Sequence, residues 1–169
     1  MNISDNEKQE LEKIYQSFLK DERIQIMKSI PMHNGSNCYI HSFKVAKLAM
    51  KRALRHKRVN LKTLLIASIL HDYYLYDWRK EKERKKKHGS KHPFIASSNA
   101  AKDFSIDEEA QRVMESHMWP INFKHFPKTK EARILTFADK TIATREFLTS
   151  KRHKQKKNEQ YMTYISHLF

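Results

Sequence analysis

A chain of 169 residues, 39% hydrophobic and 31% charged, is the size of one domain, for which roughly 100–200 residues is usual, and it is too rich in core material for a disordered polymer and too polar for an integral membrane protein. Its 34 Lys and Arg against 19 Asp and Glu leave a net charge of +15, which suits polyanionic partners such as nucleotides, nucleic acids or acidic surfaces. Only Gly35 and Gly89 are present; they form no phosphate-cradling loop or dinucleotide fingerprint and leave few tight turns for a sheet, so a mostly helical protein is expected. The lone cysteine, Cys38, cannot form an internal disulfide and fits a reducing compartment. The longest apolar run, Leu64 to His71, is far short of the ~20 residues of a membrane span, and Met1 to Lys20 has no signal-peptide core. A cytoplasmic chain without a membrane partner is the expectation.

In chain order, Leu11, Ile14, Phe18 and Leu19 recur at helical spacing and predict an amphipathic helix over Asp5 to Ser29. Pro31 to Asn37, with Gly35 and Ser36, reads as a loop. It feeds a helix from about Asn37 to His56 on which His41, Val45, Leu48 and Ala49 line up. Asn60 is suited to cap a third helix, Leu61 to about Tyr74, nearly all apolar or small and therefore expected to run through the core. His92-Pro93 reads as the start of a fourth helix, with His92 at the cap and Pro93 in the first position, where its missing N–H is harmless. Ser105 and Glu108 form a capping-box pattern opening a fifth helix that runs to about His117, ahead of Pro120. Lys128 to Thr149 carries Ile134, Leu135, Ala138 and Ile142 on one stripe, with Asp139 beside it, and a weaker helix closes the chain near Asn158 to His167. One domain over 1–169 is expected, with an N-terminal helix (1–30), a metal-binding helical core (37–149) and a basic C-terminal segment (150–169).

Ten histidines divide by context. His33, His56, His88, His125, His153 and His167 sit in loops, frayed ends or lysine-rich stretches and read as solvated, His88 being the strongest exception. His41, His71, His92 and His117 lie on or at the ends of predicted helices near apolar faces, and Asp72 and Asp139 share that setting. Imidazoles and carboxylates together are ligands for divalent metals, and burying two aspartates without nearby arginines calls for a cation.

His41, His71-Asp72 and Asp139 match the H…HD…D signature, and over most of its length the chain resembles the HD-domain superfamily of metal-dependent phosphohydrolases, which implies an all-α, single-domain helical bundle. His92 and His117 fall where the binuclear subgroup adds two histidines. Small bacterial HD proteins with His-Asp-Tyr-Tyr-Leu-Tyr-Asp-Trp and His-Met-Trp-Pro stretches, here His71 to Trp78 and His117 to Pro120, are closer still. The resemblance implies two divalent ions per chain, with Mn, Fe, Ni, Zn and Mg undistinguished. One would be held by His41, His71, Asp72 and Asp139, the other by His92 and His117 with Asp72 bridging. It also implies catalytic roles for His71 and Asp72, an activated water as nucleophile, and a phosphate-containing small molecule, a nucleotide above all, as substrate. Relatives with an HD-Ile-Gly-Lys sequence carry a phosphate-binding lysine where this chain has Leu75, so Arg79, Lys91 or Lys140 is expected to supply that charge.

Arg79 to Lys91 holds eight basic and two acidic residues, and Lys140 to Lys157 seven and one. The first run joins the HD pair to His92 and is expected to draw phosphates toward the cleft. The Tyr73, Tyr74, Tyr76 and Trp78 cluster reads as cleft-wall packing or as a base-stacking surface. The alternative to a hydrolase is a nucleic-acid-binding module stabilised by metals, which should show a basic stripe away from them.

Overall fold

The computed structural model describes residues 3–32, 35–80, 82–149 and 167–169. Seven α-helices appear among them: α1 (Asp5–Lys20), α2 (Glu22–Gln25), α3 (Cys38–Ala53), α4 (Leu61–Leu70), α5 (Lys82–Phe104), α6 (Glu108–Glu115) and α7 (Lys130–Thr149). There is no β-strand among the described residues, only an isolated bridge between Pro31 and Asn37. No helix among the described residues is long and apolar enough to cross a membrane.

The all-α expectation is met, while several boundaries move. The single opening helix is divided at Asp21, which adopts an extended backbone and turns its carboxylate to the Arg23 N–H, starting α2 and then a 3-10 turn over Ile26–Ser29. A short acceptor side chain competes with the helical ladder in this way. α4 ends at Leu70 rather than near Tyr74, because the chain tightens into turns through Tyr73 N–H to Leu70 O and Tyr74 N–H to Asp72 O. α5 begins well before His92, with Pro93 inside it. Lys, Arg and Glu are good helix formers, and Pro93 removes one backbone donor without ending the helix, so His92 is an interior residue and not a cap. The expected helix over Asn158 to His167 falls, apart from His167, outside the described residues, as do His33 and His153.

The capping-box reading of Ser105 is also corrected. Ser105 takes a left-handed backbone with φ of 50° and closes α5 by donating its N–H to Ala101 O, while Asp107 accepts the Ala110 N–H at 2.7 Å and opens α6. Asp107→Ala should therefore lower stability by about 1 kcal/mol and Ser105→Gly should raise it slightly, since glycine adopts positive φ freely. Urea unfolding of both variants checks the assignment, and a larger loss in Ser105→Gly would reverse it.

α4 lies at the centre, buried along Leu61, Leu64, Leu65, Ala67, Ile69 and Leu70. α3 packs against α4 and α7, α6 against α4, α5 and α7, and α1 covers α4 from outside through Leu11, Tyr15 and Phe18. Asn60 fixes the start of α4 twice: its side chain accepts the Thr63 N–H at 3.1 Å and its own N–H donates to Glu131 of α7 at 2.7 Å. The opposite end of α4 delivers His71 and Asp72 to the place where α3, α5, α7 and the turn after α6 meet.

Candidate metal centre

Each of the six residues picked out by type and spacing reaches this meeting point. His41 comes from the second turn of α3, His71 and Asp72 from the end of α4, His92 from α5, His117 from the turn after α6 and Asp139 from α7, and all six are buried. Ligand-capable atoms of His41, His71 and Asp139 lie within 4.8 Å of one another, and so do those of His71, Asp72 and His117.

The four imidazoles are oriented alike. His71 Nδ1 donates to Ser68 O at 2.8 Å, His92 Nδ1 to His88 O at 2.9 Å, His117 Nδ1 to Met114 O at 2.6 Å and His41 Nδ1 to the Glu146 carboxylate at 2.9 Å. These partners only accept, so each Nδ1 carries the hydrogen and each Nε2 faces the common centre. The Asp72 carboxylate spans it: Oδ2 lies 3.4 Å from His71 Nε2 and 3.8 Å from His41 Nε2, while Oδ1 lies 3.2 Å from His92 Nε2 and 3.8 Å from His117 Nε2. Asp139 stands 3.1 Å from His41 Nε2 and 3.8 Å from His71 Nε2.

Two features fit a cation here. His71 Nε2 is fully buried with no hydrogen-bond partner, an arrangement that costs about 1–3 kcal/mol if nothing fills it. The Nε2 atoms of His92 and His117 approach to 3.0 Å although both rings have placed their Nδ1 hydrogen elsewhere, so two lone pairs oppose each other until a cation or a proton stands between them. Electrostatics without a metal follow the same pattern. Burial alone would lower the pKa of His41 and of His71, but the carboxylates outweigh it, raising His41 to about 9 through Asp139 and Glu146 and His71 to about 10 through Asp72 and Asp139. Burial would raise Asp72 and Asp139, and the neighbouring histidines hold both well below the usual carboxylate range. His117 drops to about 3 through burial and its neighbours His71 and His92, so it stays neutral with a bare Nε2.

Beside the centre is a cleft of about 290 Å³ walled by Met32, Trp78, Met118, Lys140 and Ala143, with His41, Asp72, His92, His117 and Asp139 at its base. Of the three expected phosphate-binding cations, Lys140 lines the cleft and donates to His117 O at 3.3 Å. Arg79 is turned to Asp77 at 3.3 Å and Lys91 is exposed, and neither is among the lining residues. Tyr73 and Tyr74 are buried, Tyr73 donating its hydroxyl to Asp103 at 2.9 Å, so this half of the aromatic cluster is packing. Cys38 is buried too, its thiol donating to Asp72 O, and burial together with the Asp72 charge pushes its pKa well up.

The residue missed by spacing arguments is Glu146. Its carboxylate accepts from His41 Nδ1, from Lys44 Nζ at 2.8 Å and from Ser36 Oγ at 3.1 Å. Burial would raise its pKa, and His41 and Lys44 more than offset that, bringing it to about 2. A signal existed: Glu146 is seven residues after Asp139 and so on the same face of α7, just as Lys44 follows His41 by three. The solvated reading of His88 is corrected as well. Its ring stacks between Trp78 (5.0 Å, 15°) and His92 (4.5 Å, 23°), its Nδ1 meets the Tyr76 hydroxyl at 3.1 Å, and it lines the cleft.

No curated protein and no solved structure matches the chain. A family model does, the HD domain, over residues 38–144, which takes in α3 through most of α7 and every residue of the buried histidine–aspartate cluster. With more than half of its length matched and an all-helical fold that brings the H…HD…D residues to one point, the chain belongs to the HD-domain family, whose members are in general metal-dependent phosphohydrolases.

Proposed function

We propose that the protein hydrolyses a nucleotide or another phosphate ester, with two divalent ions held by His41, His71, Asp72 and Asp139 on one side and by His92 and His117 on the other, Asp72 serving both. The observation that carries this reading is the split of the Asp72 carboxylate: one oxygen faces His41 and His71, the other His92 and His117. Bound divalent ions would lower the pKa of a water toward neutrality and neutralise charge on a phosphoryl oxygen. The chain's own residues do the rest. The Nδ1 hydrogen bonds hold the four rings with Nε2 turned to the centre before any ion arrives, which removes reorientation from the cost of binding. Lys140, tied to His117 O and directed along the cleft wall, adds the fixed positive charge that an incoming phosphate meets. Met32, Trp78 and Met118 restrict bulk water, which strengthens electrostatic interactions inside. Cys38, protonated and packed under Asp72, takes no part as a nucleophile.

A panel of mono-, di- and polyphosphates assayed with Mn, Mg, Ni, Zn and Fe tests the activity, and elemental analysis of protein purified without chelator tests the ligand sets. About two ions per chain are expected, falling to about one in His92→Ala or His117→Ala. Unchanged content in both variants would remove His92 and His117 from the ligand set, and a wild-type content of about one would reduce the centre to one ion. Absence of turnover on the whole panel with every metal would pass the chain to the metal-stabilised binding-module reading.

A further inference from the structure

A second groove, of about 560 Å³, lies between the C-terminal half of α3 and α7 and shares no lining residue with the metal cleft. Lys47, Lys51, Arg52, Arg55 and Arg145 line it, and no acidic side chain stands among its described lining residues. Lys47 and Lys51 are one helical turn apart, a step of about 6 Å along one face, and Arg55 continues the row in the turn that follows. Burial holds Lys47 below the usual lysine range, with Glu12 pulling the other way. Between the cations the surface is apolar, formed by Leu48, Leu54, Leu168 and Phe169. Arg52 extends it with a flat face, its guanidinium 3.7 Å from the ring centre of Phe137, which is 44% exposed.

Concavity, a row of cations and an apolar floor together select among anionic partners. A bilayer surface is too broad to enter a groove of this size. A duplex would meet the cations with its phosphates and leave the apolar floor uncovered. A single strand offers both phosphates at a comparable repeat and base faces for apolar and aromatic contact. We infer that this groove binds a single-stranded segment of RNA or DNA, with phosphates on Lys47, Lys51, Arg55 and Arg145 and base faces over Leu48, Leu54 and Phe169. It is a binding site separate from the metal cleft, and it stands whether or not the cleft hydrolyses phosphate esters.

Fluorescence anisotropy of the full chain with labelled oligouridylate and oligothymidylate of about 12 nucleotides, from roughly 50 to 200 mM salt, tests it, with probe integrity checked on a gel. Lys47→Gln/Lys51→Gln/Arg55→Gln is compared with Lys86→Gln/Lys87→Gln/Lys91→Gln, which removes the same charge elsewhere. The groove variant should bind at least about tenfold more weakly and flatten the salt slope by about 2, three contacts at roughly 0.7 each for a single strand. The control should stay within about threefold of wild type. Equal weakening in both variants would mean a diffuse response to net charge and would overturn the inference. So would unchanged binding in the groove variant, no binding by wild type, or a groove-dependent affinity for phosphatidylserine vesicles in place of the oligonucleotides. If circular dichroism shows the triple variant misfolded, Lys51→Gln/Arg145→Gln, altering two exposed side chains, reads the same outcome with a slope change of about 1.4.

Discussion

Asp72→Asn should lose metal and hydrolysis together. Asparagine keeps the shape but has one oxygen and no charge, so it cannot face both His41/His71 and His92/His117 as the carboxylate does. Removing an outer partner of a metal ligand already costs about 10–100-fold, so a loss above about 100-fold in kcat/KM is expected, with metal content falling from about two ions toward zero by elemental analysis. Retention of both would remove Asp72 from the centre. The metal-free chain gives a second readout. His71, with an ordinary pKa near 6.5 and a folded value of about 10, contributes stability that is complete below about 6.5 and lost as pH climbs through 10. Breaking a buried pair from one side costs about 3–5 kcal/mol. The Tm gap between wild type and Asp72→Asn, measured in chelator, should thus be widest near pH 6 and narrow toward pH 10.

Glu146→Gln should separate support of the centre from membership in it. Gln preserves volume and one acceptor oxygen but not the charge that balances His41 and Lys44, both buried beside it. The expected result is a 10–100-fold weaker metal affinity with kcat largely restored at saturating metal, because no ligand is removed. A structural role alone would lower stability without moving the metal titration, and that outcome would confine Glu146 to packing. Glu146→Asp, which keeps the charge on a shorter stem, should recover part of the affinity.

Residue type and spacing led to the six buried histidines and aspartates because their chemistry is local: two sit adjacent as His71-Asp72, and the others fall on apolar helical faces where an unpartnered polar group is conspicuous. Helix existence was legible for the same reason, through periodicity in α1, α3 and α7 and through the Asn60 cap and apolar run of α4. Boundaries were less so, since Asp21, Pro93 and Ser105 each permit two local outcomes and tertiary packing chooses between them. Glu146 was hidden by its type, as a glutamate on a charged helix reads as solvated until the fold sets it against His41. Arg79 and Lys91 show the reverse. Nearness in sequence to His71 and His92 suggested the cleft, but a side chain on the outer face of a helix or turn points away from what its neighbours line. The basic groove draws on α3, α7 and residues 168–169 at once, and no window of sequence contains it.

α4 is apolar on nearly every side, and this has a consequence for how the centre keeps its aim. An amphipathic helix is oriented about its own axis by the contrast between its faces, and α4 lacks that contrast. Its rotation must be set by the fit of individual side chains and by the Asn60 clamp onto Glu131 at its far end. A slip of one residue would turn His71 by about 100° and shift it by about 1.5 Å, enough to swing its Nε2 out of the cluster while leaving every apolar group still buried. Small residues such as Ala67 and Ser68, fully enclosed one turn before the histidine, act as the notches that hold the rod at one angle. Enlarging either should misalign the centre before it unfolds the protein, so the catalytic loss in Ala67→Val should exceed what its change in Tm would suggest.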